Sequence, residues 1–281
     1  MAAQPPSYPP DIHIVRDLAP VIERGEDGSA IHLPIVREIL EDGGRPRVGV
    51  VATAVDIIAG ETAIREVLPQ WIATSNLSLH VGDLPASGTL RARPRVIRKG
   101  RTTLVMEVDL DHLESGASCG LATIGFAILP RRNDLQARVH WAEDPEPRSD
   151  FSNETSGFAK SLVDTLGLEF DSADPGTARL AVGPYVINTL GAMQGGVVAI
   201  LIDATADHFG ASVLGEPARV RSLEIHYLKL ARVGPVRAQA RSLGRTGSGL
   251  IVRVSLHDEG RENALLSVAT LHVDRASDSR D

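Results

Sequence analysis

The chain has 281 residues, 43% of them hydrophobic, 23% charged and 4% aromatic, with a formal net charge of −7. That length suits one or two globular domains, and the acidic balance argues against general nucleic-acid binding, which calls for a basic surface. The single cysteine, Cys119, rules out a disulfide framework within the chain and fits a reducing, cytoplasmic setting.

The Pro-rich start, M-A-A-Q-P-P-S-Y-P-P, has no basic region followed by an apolar core. It therefore does not read as a signal peptide; with the tail Arg275 to Asp281 it reads as a loose end. No run approaches the roughly 18 apolar residues of a membrane span. A strand is expected over 28–36 and a long helix over 47–63, where V-G-V-V-A-T-A-V-D-I-I-A surrounds Asp56. Four strand-like runs follow near 71–81, 88–98, 102–112 and 118–130, with β-branched content and polar alternation. The segment 131–152 contains R-R-N-D and E-D-P-E-P-R-S-D and reads as a solvated connector. An amphipathic helix is expected over 157–167, a strand over 177–187, a second long helix after Gln194, and strands near 219–230, 234–244, 249–258 and 264–274.

This order repeats, and internal repeats decide the architecture. A shift of 146 brings Leu77, His80 and Gly88 onto Leu223, His226 and Gly234, and Leu104, Val108 and Leu110 onto Leu250, Val254 and Leu256. A shift of 147 brings Asp56 onto Asp203. Each half reads as one helix followed by strands, which is an α+β layer arrangement. The expected domains are 11–130 and 153–274, joined by the linker 131–152.

The stretch Asn188 to Asp203, N-T-L-G-A-M-Q-G-G-V-V-A-I-L-I-D, concentrates the chemistry. A polar, glycine-rich turn runs into a helix apolar on almost every side, and such a helix is normally buried. Asp203 sits within it, and a buried carboxylate needs a partner or changes its protonation. Gly195 and Gly196 lie where the first helical N–H groups are unpaired, a position that suits a carbonyl or an anion.

The spacing of Asn188, Gln194-Gly195-Gly196 and Asp203 resembles the signature of the hotdog-fold thioesterases of the phenylacetate-degradation (PaaI-type) class, with Gln194 where that family usually has His. L-E-I-H-Y-L-K-L-A-R-V-G-P, Leu223 to Pro235, is similar to the family's third-strand pattern, and the resemblance covers roughly 157–273. It implies a double hotdog: two antiparallel sheets, each wrapped around a long central helix, in a covalent pseudo-dimer. It also implies active sites between the two units, with turn and helix N-terminus from one and carboxylate from the other. Site one would join Asn188, Gln194 and Gly195 to Asp56, with Gly196 beside them as a substrate-binding position. Site two would join Asp203 to Glu41–Gly49, where Arg47 stands in place of Gln194, Val48 in place of Gly195, and Pro46 lacks a donor. Site one is expected to be active and site two altered.

The implied reaction is hydrolysis of an acyl-CoA thioester to free acid and CoA. The Gly195 N–H would bind the thioester oxygen, Asp56 would act as general base or nucleophile, and Asn188 would hold water or the carbonyl. Gln194 can donate a hydrogen bond but cannot carry a proton. Arg91, Arg93 and Arg95 share one strand face and offer either a dock for CoA phosphates or a solvated edge. No metal spacing or dinucleotide fingerprint appears, so no cofactor is expected beyond the CoA of the substrate. The expected partners are the acyl-CoA and further copies of the chain, as a homodimer or homotrimer of double hotdogs, without nucleic acid or membrane. Two other readings stay open: a non-catalytic acyl-CoA binding protein, and an enoyl-CoA hydratase-like hotdog suggested by the spacing of Asp203 and His208.

Overall fold

The computed structural model describes residues 8–131 and 146–276. The chain opens with a short helix, α1 (Ile14–Leu18), and a hairpin of β1 (Val21–Gly25) and β2 (Gly28–Pro34). The hairpin turns at Glu26-Asp27, and Gly28 takes the left-handed conformation (φ 107°) that a side chain would resist. Helix α2 (Val48–Val67) follows, then β3 (Trp71–Val81), β4 (Thr89–Lys99), β5 (Thr103–His112) and β6 (Ser118–Leu129). The second half runs β7 (Arg148–Asp150), α3 (Leu162–Leu166), β8 (Glu169–Phe170), β9 (Thr177–Leu180), α4 (Gly195–Leu214), β10 (Ala218–Tyr227), β11 (Val236–Arg245), β12 (Gly249–Asp258) and β13 (Ala264–Arg275).

The strands form one antiparallel sheet in the order β7-β1-β2-β4-β5-β6-β3-β10-β13-β12-β11-β9-β8. The strand alternation buries one face. In β12, Leu250, Val252, Val254 and Leu256 are buried, while Ile251 is open and Arg253 and Ser255 are half-buried. That face wraps α2 and α4, the apolar helices, in the α+β hotdog architecture. The two wrapped halves join edge to edge at β3 and β10.

Both the seam and the helix contact have the geometry of a twofold. In the seam Leu77 pairs with Ile225, Leu79 with Leu223, and Ser78 with Glu224 at the centre. The offset of 146 exchanges these pairs with one another, as a local twofold must. The helices run antiparallel: a Cβ on Gly49 would lie 2.6 Å from the Ile200 Cα, and one on Gly196 would lie 2.5 Å from the Thr53 side chain. The offset of 147 exchanges those contacts too. Glycine at both positions is what allows the helix backbones to approach so closely.

Helix α4 is long and apolar enough to cross a membrane by length and hydropathy alone, alone in this among the described residues. It is instead mostly buried inside this sheet. The expected helix at 157–167 shrinks to the five residues of α3, which Ser161 caps through Asp164 N–H and Gly167 ends in a left-handed turn. The expected strand at 177–187 stops at Leu180, after which the chain leaves the sheet through Gly183-Pro184 to carry the turn at Asn188. Part of the expected connector, Arg148–Asp150, pairs with β1; residues 132–145 lie outside the described residues. Of the N-terminal segment, read from sequence as loose, Tyr8 and residues 10–12 are exposed, and the chain packs from His13 onward, with His13, Ile14, Val15 and Leu18 buried; residues 1–7 and 277–281 lie outside the described residues.

Candidate active site

The antiparallel crossing brings the carboxylate of each long helix to the N-terminus of the other. At site one, Asp56 on α2 meets the first turn of α4. A Cβ on Gly195 would stand 2.7 Å from Asp56 Oδ2, so only glycine lets the carboxylate sit this close to the helix entrance. The Gly196 N–H faces Asp56 and favours its charged form. Thr74 on β3 donates its hydroxyl to Asp56 Oδ1 at 3.0 Å. Burial raises the Asp56 pKa to about 6, against the lowering by Thr74 and Gly196. The Gly195 N–H has no acceptor among the described residues, and Gly195 is only half-buried, so it is open to a ligand. The Tyr227 hydroxyl donates to the Gly195 carbonyl at 3.2 Å, which fixes the peptide that follows this N–H.

The turn before α4 is built on Asn188. Its Oδ1 accepts from Leu190 N–H (2.9 Å) and Ala192 N–H (3.2 Å), and its Nδ2 has no partner among the described residues. The side-chain carbonyl thus shapes the turn and the amide NH₂ is left to donate outward. Gln194 precedes the helix without capping it; it is buried, and its Oε1 meets no donor among the described residues.

Site two has the same backbone and different side chains. The backbone bonds Glu41 N–H to Arg45 O (2.8 Å) and Gly44 N–H to Glu41 O (2.9 Å) reproduce Asn188 N–H to Ala192 O (2.7 Å) and Gly191 N–H to Asn188 O (3.0 Å). Glu41 therefore stands where Asn188 does. Val48 replaces Gly195 and is 2% exposed, so its N–H is sealed from any ligand. By the strand offset of 146, Val220 replaces Thr74 and Val81 replaces Tyr227. Asp203 is buried beside the Gly49 N–H, and the Arg47 guanidinium lies 3.8 Å from it and 3.0 Å from Asp207. Burial pushes Asp203 up to about 7, while Arg47 pulls it down and Asp207 adds to the rise. Glu41 rises to about 8, through burial and then through Asp203 and Asp207. Two buried acids, Glu41 and Asp203, and the half-buried Asp207 thus gather around Arg47, with Arg219 also acting on Glu41.

The sequence reading grouped Asp56 with Asn188, Gln194, Gly195 and Gly196, and the structure sets Asp56 directly against Gly195 and Gly196, at the end of the turn that Asn188 shapes. It sets Asp203 in the second, closed arrangement. Arg91, Arg93 and Arg95 are not brought to site one. Leu90 and Ala92, the alternates of β4, face the core, so the arginines stand on the outer face of the sheet. There Arg91 and Arg93 each meet Asp111 at 2.9 Å, and Arg95 pairs with Glu107. His208 lies five residues beyond Asp203 on the same helix, about 140° further round its axis, and stacks on Phe170 with ring centroids 4.4 Å apart. Among the described residues no group of His, Cys, Asp or Glu side chains is arranged to hold a metal ion. Thr74 and Tyr227 were not singled out from the sequence. Their signal lay in the repeat, where the two halves differ at those positions.

A family model described as the Thioesterase superfamily matches residues 190–264, the part of the chain that runs from the site-one turn into β13. No curated protein sequence matches the chain significantly. Among solved structures, the chain is similar to an acyl-ACP thioesterase from Bacteroides thetaiotaomicron (14% identity, 87% of this chain and 97% of that one, TM-score 0.57). It is also similar to the tesB protein of Mycobacterium avium subs paratuberculosis (13% identity, 90% and 94%, TM-score 0.59), and to a 12:0-ACP thioesterase from Umbellularia californica (10% identity, 87% and 92%, TM-score 0.56). At these identities the likeness speaks for the fold.

Proposed function

We propose that the protein hydrolyses acyl-CoA thioesters at site one, with Asp56 as the catalytic carboxylate. The observation that carries this reading is the open Gly195 N–H beside a carboxylate whose pKa is raised to about 6. A thioester oxygen that binds this N–H gains from the positive end of the α4 dipole as charge develops on it. Asp56, within reach of the same spot, either takes a proton from water or attacks the carbonyl carbon. In both routes water adds its oxygen to the acyl carbon, the C–S bond breaks, and the thiolate of CoA leaves with a proton. Asn188 would donate its NH₂ to water or carbonyl. The family match over 190–264 and the thioesterase names of the structural relatives support the class of reaction. The acyl-CoA substrate, the PaaI-type relationship of the tandem units, the cytoplasmic setting and assembly into homodimers or homotrimers belong to this proposal, and with Arg91, Arg93 and Arg95 paired to Asp111 and Glu107 on the outer face the CoA phosphates fall to other contacts.

Site two is read as inactive, because its amide is sealed by Val48 and its carboxylate is neutralised by Arg47. The test is release of free thiol from short, long and aromatic acyl-CoAs, and from acyl groups on acyl carrier protein, by wild type, Asp56→Asn and Asp203→Asn. The first substitution should lower kcat on the order of 10²–10⁴-fold, the usual worth of a positioned acid or base, and the second should leave most of it. Loss on Asp203→Asn alone would reverse the assignment of the two sites. Binding of acyl-CoA without thiol release by wild type would leave a binding protein.

A further inference from the structure

The N-terminal segment crosses to the turn that carries Asn188 and is held there on both sides. His13 is fully buried. Its Nδ1 accepts from Val15 N–H at 3.2 Å, so Nε2 carries the proton and donates to the Ile187 carbonyl at 3.0 Å, one residue before Asn188. The Ile14 N–H donates to Tyr185 O at 3.1 Å, and the Tyr185 hydroxyl donates to Asp17 at 2.7 Å. Upstream, the Arg16 guanidinium donates to the carbonyls of Pro9 (2.8 Å), Pro10 (3.4 Å) and Phe151 (3.0 Å). These contacts leave the Tyr8 ring edge-on to His13, with centroids 5.3 Å apart and planes at 69°. The Asp56 charge reaches this ring: after enclosure, it is the second cause that raises the Tyr8 hydroxyl pKa, as it also is for Tyr227 within site one. The ring nonetheless remains 39% exposed, so one side of it is free to meet a ligand. Site two lacks the device. A shift of 148 carries α1 onto α3 and puts Ser161 in place of His13 and Ser156 in place of Tyr8.

We propose that Tyr8 forms one wall of the acyl pocket at site one and limits the size of the acyl group that reaches Asp56. The inference rests on the thioesterase reading. A ring edge-on to His13, on a segment that Arg16 holds through the Pro9 and Pro10 carbonyls, cannot swing away without giving up those contacts, so a bulkier acyl group meets it directly. Pockets for apolar groups are commonly lined by such rings, and a methylene that fits or fails to fit changes kcat/KM by about 10-fold or more.

The experiment measures kcat/KM for short, medium and long straight-chain acyl-CoAs with the full chain as wild type, Tyr8→Ala and Tyr8→Trp. The long-to-short ratio should rise about 10-fold in Tyr8→Ala and fall in Tyr8→Trp. Arg16→Ala frees the segment while keeping Tyr8 and should move the ratio in the same direction as Tyr8→Ala. Binding of non-hydrolysable thioether analogues of the same chains, by calorimetry, gives a second readout. If wild type releases no thiol but Tyr8→Ala still shifts the chain-length preference of binding, the wall stands and the thioesterase reading fails. If wild type turns over and neither readout shifts in any variant, Tyr8 is no wall and the reading of site one survives.

Discussion

The Asp56 carboxylate is tuned by opposing effects of known sign. Burial disfavours its charge and raises the pKa to about 6, while the Thr74 hydroxyl and the Gly196 N–H favour the charged form. A base must be unprotonated to act, so kcat/KM should rise with pH through about 6 and level off above it. Thr74→Val removes a donor that lowers the pKa, so the rising limb should move to higher pH by about one unit, which corresponds to roughly 1.4 kcal/mol between the two protonation states. The pH profile of thiol release checks this; a limb that stays in place, or moves toward acid, would mean that Thr74 does not act on the titrating group. Arg47 shows the reverse arrangement, a cation among buried acids. Removing one partner from such a group leaves uncompensated charge at a cost of about 3–5 kcal/mol. Arg47→Met should therefore destabilise the fold. It should do so more at pH 8 than at pH 5, because Asp203 and Glu41 have pKa values raised to about 7 and about 8 and take up protons as the pH falls. Denaturant titrations at the two pH values measure the difference, and an equal loss at both would show that the acids do not titrate in this range.

At the scale of elements, the long helices and the eight long strands were legible because each is long and strongly patterned. A helix apolar on all sides can only be buried, and β-branched alternation marks one wet and one dry face. The short pieces were not legible. The five residues of α1 are held by contacts with a turn more than 160 positions away, and nothing local in Y-P-P-D-I-H announces those partners. Similarly, β7 and β8 exist through pairing with β1 and β9 rather than through their own sequence. The candidate site divides in the same way. The glycine-rich turn and the repeat pointed to Gly195, Gly196 and the two aspartates, and the resemblance to the hotdog thioesterases implied how a carboxylate of one unit meets the helix entrance of the other. The three arginines of β4 illustrate the limit. Alternation placed them on one face, but which face looks toward the helix is a tertiary fact, and the acids opposite them, Asp111 and Glu107, become partners only through the register of β4 and β5. A position-by-position comparison of the halves would have exposed Thr74 against Val220 and Tyr227 against Val81, the polar pair that only one half retains.

For the molecule as a whole, the consequence of the twofold is that neither half owns a site. Asp56 comes from the first half and the amides that face it from the second, and the same helix crossing sets the geometry of both sites. The halves share the β3–β10 seam, the Gly49 and Gly196 contacts, and the N-terminal segment on Tyr185 and Ile187. Apolar burial across such a seam couples their unfolding, so calorimetry should record one transition whose calorimetric and van't Hoff enthalpies agree. Gly49→Ala tests the coupling from the inactive side. The new Cβ would meet backbone, 2.6 Å from Ile200 Cα and 2.8 Å from Ala199 O, and backbone cannot step aside as the tip of a side chain can. The helices must separate, at a cost of about 1–3 kcal/mol for an overpacked core. The same separation draws Asp56 away from Gly195, although Gly49 belongs to site two. The expected result is a single transition at lower temperature together with a fall in kcat/KM. A Gly49→Ala protein with two resolved transitions, or with lowered stability and undiminished turnover, would show that the halves, and with them the two sites, are independent.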